Sequence, residues 1–249
     1  MYKAIIIAAG LGSRLRPHTD NLPKCLVKIG NTTILQSQLR VFKSLKIDNI
    51  NIIVGHKKEK IIEKKINYIF NKQYRNNNIL ESLFYAKSEM NSTCVISYSD
   101  IIFKKSIVKK LIQSKHDISI LVDTNWKKNY KGRTQHPVSQ AENVCYNKKS
   151  ILKKIGKNLN TKESDGEFIG MLKISSNGCK IFKKYFSKAK KIYENKKFYN
   201  ANSLKKAYLA DFLSYLISNK VSIKCIKIKN NWMEIDTKQD YKKAQKFFN

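Results

Sequence analysis

The sequence predicts an α/β fold, with one domain built on a mixed, mostly parallel central sheet that helices flank. Short apolar runs that suit buried strands alternate with segments whose apolar residues recur at helical spacing. A length of 249 residues is enough for one large hydrophobic core. We find neither an internal repeat nor a linker in the sequence, so we expect a single domain over residues 1–249.

Up to about residue 123, strand, loop and helix follow one another repeatedly, which predicts parallel strands joined by right-handed crossovers. The predicted strands cover 4–8, 50–54, 68–70, 93–98 and 118–122. The predicted helices cover 33–45, with Thr32 or Thr33 as the N-cap, and then 59–66, 81–90 and 106–114. In such a sheet, ligands bind beyond the carboxyl ends of the strands.

Between residues 125 and 167 the pattern changes to loops and short strands, at 141–146 and 151–155. We interpret this segment as a substrate-side insertion on the same sheet. The later predicted elements are a strand at 168–174, helices at 178–194 and 203–218, strands at 223–228 and 232–235, and a closing helix at 237–248.

The formal net charge of +32 raises the question of a nucleic-acid partner, because many strongly basic proteins bind nucleic acid. The excess is lysine spread over predicted helix faces, whereas arginine occurs only as Arg14, Arg16, Arg40, Arg75 and Arg133. We find no basic patch interleaved with aromatic residues of the RNA-binding kind. We therefore expect no nucleic-acid partner, but an electrostatic field that attracts anionic substrates.

The five cysteines are scattered and contain no C-x-x-C pair. This pattern predicts reduced thiols in a cytoplasmic protein, in preference to a zinc site or a disulfide framework. No stretch has the length and apolarity that a membrane span requires. The first strand begins almost at the first residue, so we also expect no signal peptide.

A glycine turn with several cations follows the first predicted strand. The run Ala8-Ala9-Gly10-Leu11-Gly12-Ser13-Arg14-Leu15-Arg16-Pro17 is completed by Pro23-Lys24. Glycines let backbone N–H groups curl towards an anion, and the arginines and the lysine can neutralise its charge. The run lacks the third glycine of the dinucleotide fingerprint and the Gly-Lys-Ser/Thr of a P-loop. It predicts a polyphosphate site, in preference to a purely structural turn.

Carboxylates follow two other predicted strands. Asp100 comes after Ser99 where the strand 93–98 ends, and Asp236 follows Glu234 in the strand 232–235. Carboxylates at strand ends suit Mg²⁺, which prefers hard oxygen ligands. Each aspartate could alternatively cap the helix that comes next. In combination with the polyphosphate loop, the pair favours metal-assisted nucleotidyl transfer.

These motifs together resemble the signature of the nucleotidyltransferases that activate sugar phosphates and small phospho-alcohols with an NTP. Within that family the chain is most similar to the cytidylyltransferases for phosphocholine, 2-aminoethylphosphonate or phosphoglutamine. The similarity is carried by A-A-G-L-G-S-R-L-R-P, P-K, N-N-I-L-E-S-L at 77–83, S-D at 99–100, G-E-F-I-G at 166–170 and W-M-E-I-D-T at 232–237. It implies a Rossmann-like fold of the nucleotide-diphospho-sugar transferase type. The similarity is thin between residues 125 and 165.

The resemblance also implies a division of labour, in which residues 1–123 bind CTP and residues 124–249 bind the acceptor and complete the metal site. The implied CTP-binding residues are Ala8, Ala9, Gly10, Leu11, Gly12, Ser13, Arg14, Lys24, Asn78, Ser82 and Ser99. The implied catalytic residues are Arg14, Lys24, Asp100 and Asp236, and the implied Mg²⁺ ligands are Asp100, Asp236 and Glu234. The acceptor phosphate would attack CTP in line and release pyrophosphate without a protein nucleophile.

Acceptor recognition is expected from the insertion and from the strands around it. The candidates are Arg133, His136, Glu142, Glu167 and Trp232. A buried carboxylate could hold an ammonium group, and Trp126 or Trp232 could add a cation–π face, although such residues are also common in cores. The insertion lacks the aromatic-rich composition expected of a choline site, which favours a primary-amine or amino-acid acceptor.

Two alternative functions are weighed against this hypothesis. A sugar-1-phosphate nucleotidyltransferase using UTP or dTTP is disfavoured because no Q-P-x-G-T-A-like run follows residue 70. A non-catalytic nucleic-acid-binding protein is disfavoured because Arg14, Lys24, Asp100 and Asp236 are retained. The expected partners are CTP and a small phosphate- or phosphonate-bearing acceptor, used in capsule, surface-polysaccharide or lipid decoration. The oligomeric state, a homodimer included, stays open.

Overall fold

A computed structural model describes residues 2–157, 159–194 and 196–247. The strands are β1 (Tyr2–Ala8), β2 (Lys28–Ile29), β3 (Thr32–Thr33), β4 (Asn49–Val54), β5 (Asn67–Phe70), β6 (Thr93–Tyr98), β7 (Ile101–Phe103), β8 (Ile118–Asp123), β9 (Asn143–Tyr146), β10 (Leu152–Gly156), β11 (Gly166–Ile174), β12 (Lys224–Ile228) and β13 (Trp232–Glu234). The α-helices are α1 (Ile34–Ser44), α2 (Ile79–Phe84), α3 (Lys105–Ile112), α4 (Ser176–Tyr193), α5 (Leu209–Ser218) and α6 (Lys238–Ala244).

Strand β1 lies in the middle of the central sheet, and its neighbours run parallel to it. It pairs with β4 on one edge and with β6 on the other, and β5 extends the sheet beyond β4 in the same direction. The carboxyl ends of β1 and β6 therefore meet at one edge of the sheet. This arrangement brings the glycine loop after β1 next to Asp100 after β6, as the sequence predicts.

Strand β11 is antiparallel to the parallel strands β1, β4, β5 and β6 and joins the two halves of the chain in one sheet. It is antiparallel to β6 and β9 and, on its other edge, antiparallel to β8. Strand β12 then adds to β8 in parallel, and β10 pairs with β9. The second half of the chain thus extends the sheet of the first half, which confirms the predicted mixed, mostly parallel α/β fold.

Helices cover both faces of the sheet, and alternate residues of β1 point towards them. Ile5 belongs to a core that includes Phe212 of α5 together with residues of α2 and α4. Ile6 belongs to the core on the other face, with Phe42 of α1 and Val108 of α3. Burial on both faces explains why β1 reads as a continuous apolar run.

The segment 59–66 is not the helix that the sequence predicts. Only a 3₁₀ turn at Lys58–Lys60 forms there. Ile61 is buried, whereas Ile62 is 83% exposed. The two isoleucines therefore do not share one apolar face, and a helix at this position would have no continuous stripe to bury.

Other differences concern the ends of elements and three short strands. Helix α2 ends at Phe84 and α5 begins at Leu209, so both are shorter than predicted. Helix α6 covers part of the predicted 237–248, whose residue Phe248 lies outside the described residues. Strands β2, β3 and β7 are not predicted from the sequence. Strand β7 pairs with the distant β13, a contact that no local pattern indicates.

All five cysteines are free thiols in the structure. The Sγ atoms of Cys94 and Cys179 are 4.0 Å apart, a van der Waals separation that is about twice the length of a disulfide bond. Within 2–157, 159–194 and 196–247, none of the helices combines the length and the hydropathy that crossing a membrane requires.

Candidate active site

A cavity of about 410 Å³ opens at the carboxyl ends of β1 and β6. Its walls come from the loop after β1, the start of α2, the end of β6, the insertion, β11 and β13. The predicted site residues that line it are Ala8, Ala9, Gly10, Leu11, Gly12, Ser13, Arg14, Lys24, Asn78, Ser82, Ser99, Asp100, His136, Glu142, Glu167, Trp232, Glu234 and Asp236. Arg133 and Trp126 are the predicted residues that do not line it.

The loop after β1 needs glycine where it turns. Gly12 has a φ of +64°, and a Cβ there would lie 3.0 Å from Lys24 Cβ and 3.2 Å from Thr19 Cγ2. The Thr19 hydroxyl also donates a hydrogen bond of 2.8 Å to the Gly12 carbonyl. At Gly10, by contrast, a Cβ would meet nothing within 4 Å. Lys24 and Thr19 therefore pack against the loop at Gly12, whereas the backbone at Gly10 stays accessible.

Lys24 connects the two aspartates that follow β6 and β13. Its Nζ lies 2.8 Å from Asp100 Oδ2 and 2.6 Å from Asp236 Oδ1. Neither aspartate caps the following helix, because Lys104 precedes α3 and the Thr237 hydroxyl accepts the first hydrogen bond of α6. The alternative role of these aspartates as helix caps is therefore ruled out.

The charges around Asp236 favour its ionised form. Burial alone would raise the pKa of Asp236, but Lys24, His136 and Arg14 hold that pKa well below its usual range. Burial alone would lower the pKa of Lys24, but Asp100 and Asp236 raise it above its ordinary value. The contact is thus an ion pair at neutral pH.

Arg14 and His136 both reach the second oxygen of Asp236. Arg14 NH1 lies 2.7 Å from Oδ2, and His136 Nδ1 lies 2.8 Å from the same atom. Arg14 also donates a hydrogen bond of 3.0 Å to Gln140 Oε1. The insertion therefore contacts both the glycine loop and the carboxylate. The Arg14 side chain is 55% exposed, so its guanidinium is accessible to an anion in the cavity.

Arg133 is predicted to contact the acceptor, and the structure corrects this prediction. Its Nε lies 2.6 Å from Asp240 Oδ1, and its NH2 lies 2.7 Å from Glu234 Oε2. Asp240 Oδ2 in turn accepts hydrogen bonds from the backbone N–H groups of Asp236 and Thr237. Buried carboxylates bind the nearest cation, so Arg133 supports the Asp236 backbone and does not line the cavity.

The side chains at the start of α2 form a hydrogen-bonded network beside the cavity. Asn78 Oδ1 accepts from Ile79 N at 2.9 Å, and its amide donates to the Lys206 carbonyl at 3.0 Å. Ser82 Oγ accepts from Asn71 Nδ2 at 2.7 Å. Asn77, which begins the motif at 77–83 but was not predicted as a site residue, also lines the cavity and accepts a hydrogen bond from Asn71. The network holds these polar groups in fixed positions.

The predicted acceptor residues include two buried carboxylates. Burial raises the pKa of Glu142 to about 7, against a lowering effect of Lys157. Burial also raises the pKa of Glu167 well above its usual range, although the Tyr130 hydroxyl donates a hydrogen bond to Glu167 Oε1. Trp232 Nε1 donates to Asp123 Oδ2 at 2.8 Å, which orients the indole ring at the cavity wall.

Aromatic residues line the cavity more densely than the composition of the insertion indicates. Those that the sequence analysis did not single out as site residues are Tyr74, Tyr98, Tyr130, Phe168 and Tyr208. They come mostly from strand ends and helix starts outside the insertion, so the insertion's own composition could not indicate them. The position of Tyr98, directly before Ser99-Asp100, is the signal that could have indicated it. Trp126 packs against Tyr130 with ring centroids 5.9 Å apart.

Oxygen atoms suited to Mg²⁺ are present at the predicted metal site. Asp100 Oδ1 is buried and, within the described part of the chain, has no hydrogen-bond partner. Asp236 and Glu234 each offer a carboxylate oxygen, and together with a ring nitrogen of His136 these ligand atoms lie within 4.8 Å of one another. Carboxylate oxygens are the ligands that Mg²⁺ prefers, although Asp100 does not belong to that group of ligand atoms and Lys24 Nζ lies between Asp100 and Asp236, at 2.8 and 2.6 Å.

Comparison with known proteins shows the family of the chain. Residues 4–168 match the family model of the MobA-like NTP transferase domain. The chain is 31% identical to the CTP:phosphoglutamine cytidylyltransferase of Campylobacter jejuni, over 95% of this chain and 96% of that protein. It is 39% identical to a choline-phosphate cytidylyltransferase of Streptococcus pneumoniae, over 45% of this chain and 51% of that protein.

Two solved structures share the fold. The CTP:phosphocholine cytidylyltransferase from Streptococcus pneumoniae superposes with a TM-score of 0.74 at 22% identity, over 100% of this chain and 99% of that chain. The inositol-1-phosphate CTP transferase from T. maritima superposes with a TM-score of 0.73 at 19% identity, over 99% and 96% respectively. The fold class and the family resemblance predicted from the sequence are both confirmed. The chain therefore belongs to the MobA-like NTP transferase family and is a nucleotidyltransferase.

Proposed function

We propose that the chain is a Mg²⁺-dependent cytidylyltransferase that transfers CMP from CTP to a small phosphorylated or phosphonate acceptor and releases pyrophosphate. The acceptor is of the phosphoglutamine, aminoethylphosphonate or phosphocholine type. The observation that carries the proposal is the contact of Lys24 with Asp100 and Asp236, at 2.8 and 2.6 Å, beside the glycine loop. The full-length relative named for CTP and phosphoglutamine supports this choice of nucleotide and acceptor.

Residues 1–123 bind CTP in this proposal, and residues 124–249 bind the acceptor and complete the metal site. The backbone N–H groups of Gly10, Leu11 and Gly12 receive the triphosphate, and the exposed guanidinium of Arg14 neutralises its β- and γ-phosphates. Asn78 and Ser82 meet the polar edge of the cytosine, since amide and hydroxyl groups can pair with it.

Lys24 stabilises the charge that develops on the α-phosphate and on the incoming phosphoryl oxygen. An acceptor oxygen forms the new bond to the α-phosphorus, the bond from that phosphorus to the bridging oxygen breaks, and its electron pair leaves with pyrophosphate. The acceptor phosphate is already ionised at neutral pH, so the chain needs no general base. Held by Asp100, Asp236 and Glu234, Mg²⁺ would supply Lewis-acid polarisation of the phosphates.

Pyrophosphate release tests the proposal. The assay contains Mg²⁺, each NTP in turn, and one of phosphocholine, phosphoethanolamine, 2-aminoethylphosphonate, phosphoglutamine or a sugar 1-phosphate. We expect turnover with CTP and an amine-bearing acceptor, and its loss when a chelator removes Mg²⁺. Turnover only with UTP or dTTP and a sugar 1-phosphate would contradict the proposal and favour the alternative enzyme class.

The setting of the reaction is also part of the proposal. The scattered cysteines without C-x-x-C spacing support a reducing compartment, for which we propose the cytoplasm. The CMP-activated product would serve the decoration of a capsule, a surface polysaccharide or a lipid. Fractionation of cells and analysis of their surface glycans after deletion of the gene would test these two points.

A further inference from the structure

Two side chains at the cavity wall, among the residues that the structure describes, have a buried oxygen atom without a hydrogen-bond partner, and the buried carboxyl group of Glu142 lines the same cavity. Glu142 lies just before β9, Glu167 lies on β11, and Tyr98 ends β6. The two glutamates are 8% and 5% exposed. Within the residues that the structure describes, Glu167 Oε2 and the Tyr98 hydroxyl are buried and have no hydrogen-bond partner.

Acidic side chains surround these groups. Lys157 attracts Glu142, but Asp211, Glu234 and Asp100 all repel its ionised form. Lys157 itself lies over the Tyr208 ring, 4.1 Å from its centroid. A ligand that brings hydrogen-bond donors together with positive charge would pair the buried oxygen atoms and favour the ionised form of the two carboxyl groups.

The guanidinium of Arg133, which attracts Glu167, is already hydrogen-bonded to other carboxylates. Arg133 lies near enough to favour the ionised form of Glu167, but its guanidinium is bonded to Glu234 and Asp240. The Tyr130 hydroxyl donates a hydrogen bond to only one of the two Glu167 oxygens, Oε1. The other oxygen is left for a ligand.

We propose that the acceptor carries, at the end remote from its reacting phosphate, an ammonium group that retains N–H bonds. In this proposal Glu142, Glu167 and the Tyr98 hydroxyl select that group against a trimethylammonium group. The inference rests on the proposed transfer from CTP, and it narrows the acceptor class to primary amines. The ammonium N–H bonds point to Glu167 Oε2, to the Glu142 carboxylate and to the Tyr98 oxygen.

The aromatic rings of the same wall favour a trimethylammonium group through cation–π contacts, whereas the unpaired oxygen atoms favour an ammonium group that can donate hydrogen bonds. The strengths of these two effects must therefore be compared. A desolvated cation–π contact would strengthen binding by about 30-fold. A site built to hydrogen-bond a ligand rejects an analogue without the donor by roughly 10⁴-fold or more, because its buried polar groups stay unpaired. Moreover, the Tyr98 ring is already packed edge-on against Phe168, with centroids 6.2 Å apart. Hydrogen bonding therefore decides the preference.

Matched acceptor pairs test this inference. Phosphoethanolamine is compared with phosphocholine, and 2-aminoethylphosphonate with its N-trimethyl derivative, so that only the methyl groups differ. We expect kcat/KM for CTP-dependent pyrophosphate release to favour the primary amine of at least one pair by about 100-fold or more. Equal or better turnover of the trimethylated partners would overturn the inference while leaving the proposed transfer intact.

Two variants test whether residues of the cavity wall cause the preference for the primary amine. Glu167→Gln and Tyr98→Phe keep the shape of their side chains, and each should lower the preference below about 10-fold by raising KM for the primary amine. The exposed Glu163, which does not line the cavity, provides the control Glu163→Gln, for which we expect no change. An unaltered preference in both wall variants would overturn the assignment of these residues.

Binding calorimetry without CTP separates this inference from the proposed function. If no acceptor is turned over, the proposed function fails, but the affinities of the two members of each pair still decide the present inference. Tighter binding of the primary amine, weakened by Glu167→Gln, supports it. Equal affinities, or tighter binding of the trimethylated compound, contradict it.

Discussion

Arg133 joins the insertion to the start of α6, and its replacement by methionine should both destabilise the protein and slow its reaction. The Arg133 side chain is 5% exposed, and it is bonded to Asp240 and Glu234 at distances between 2.6 and 2.9 Å. Removing one partner of a buried ion pair costs about 3–5 kcal/mol, because the other charge stays buried without compensation. Asp240, whose side chain is 1% exposed, would be left in that state.

The effect on the reaction follows from the contact between Asp240 and the Asp236 backbone. Asp240 Oδ2 accepts from Asp236 N at 3.1 Å, so a displaced Asp240 would move the carboxylate that contacts Lys24. A displacement of about 1 Å at a reacting centre can lower the rate by about 100-fold. We therefore expect Arg133→Met to lose roughly that factor in kcat under conditions where it remains folded.

Urea unfolding and pyrophosphate release measure the two effects. Lys190→Met is the matched control, because Lys190 contacts Glu81 at 3.6 Å with 56% of its side chain exposed. The control should change the unfolding free energy by less than about 0.5 kcal/mol. Adding Asp240→Asn to Arg133→Met should recover part of the lost stability, because the uncompensated charge is then removed. A loss below about 1 kcal/mol with full activity in Arg133→Met would refute the reasoning.

Three further predictions concern the pKa of Glu142, the close packing at Gly170 and the net charge of the chain. Burial raises the pKa of Glu142 from 4.5 to about 7, so between these pH values the folded state binds more protons than the unfolded state. The unfolding free energy should therefore fall by up to about 3 kcal/mol as the pH rises through this range. Glu142→Gln should flatten that part of the profile, and an unchanged slope would contradict the assignment. Gly170→Ala would place a Cβ 2.3 Å from the Tyr98 ring, whereas Gly132→Ala, at a similar positive φ, meets nothing within 4 Å. The unfolding free energy of Gly170→Ala should therefore be lower than that of Gly132→Ala by about 1–3 kcal/mol, and equal values would rule out the clash. Raising the ionic strength should raise KM for CTP and leave kcat nearly unchanged, because salt screens the attraction to a chain of net charge +32. A fall in kcat at constant KM would contradict this electrostatic account.

The central strands and the phosphate loop can be predicted from the sequence because local patterns determine them. Residues 4–8 of β1 are a continuous apolar run that both helix layers bury, and Gly12 follows this strand where the chain takes a positive φ. Asp100 and Asp236 can be paired in advance from the family motifs S-D and E-I-D, because β13 lies outside the central sheet and is antiparallel to β7. The Lys24 contact that joins them comes from the tertiary structure.

Other parts of the site depend on contacts that no local pattern records. The sequence marks Arg133 as a charged residue in a substrate-side segment, but it does not show that Asp240 is buried and requires a cation. Tyr98 looks like a core residue at the end of a strand, and only the fold shows that its hydroxyl, at the cavity, has no hydrogen-bond partner in the described part of the chain. The segment 59–66 shows the converse error, because the predicted helix is absent there and Ile62 is exposed to solvent.

The kcat of Lys24→Met with CTP and an amine-bearing acceptor tests the central claim most directly. Lys24 is the cation between Asp100 and Asp236, so its loss should lower kcat by about 100- to 1,000-fold in a variant whose circular dichroism shows it to be folded. Lys28→Met, at an exposed lysine on β2, should keep the original kcat. A Lys24→Met variant that retains nearly full kcat would contradict the claim that transfer depends on this contact.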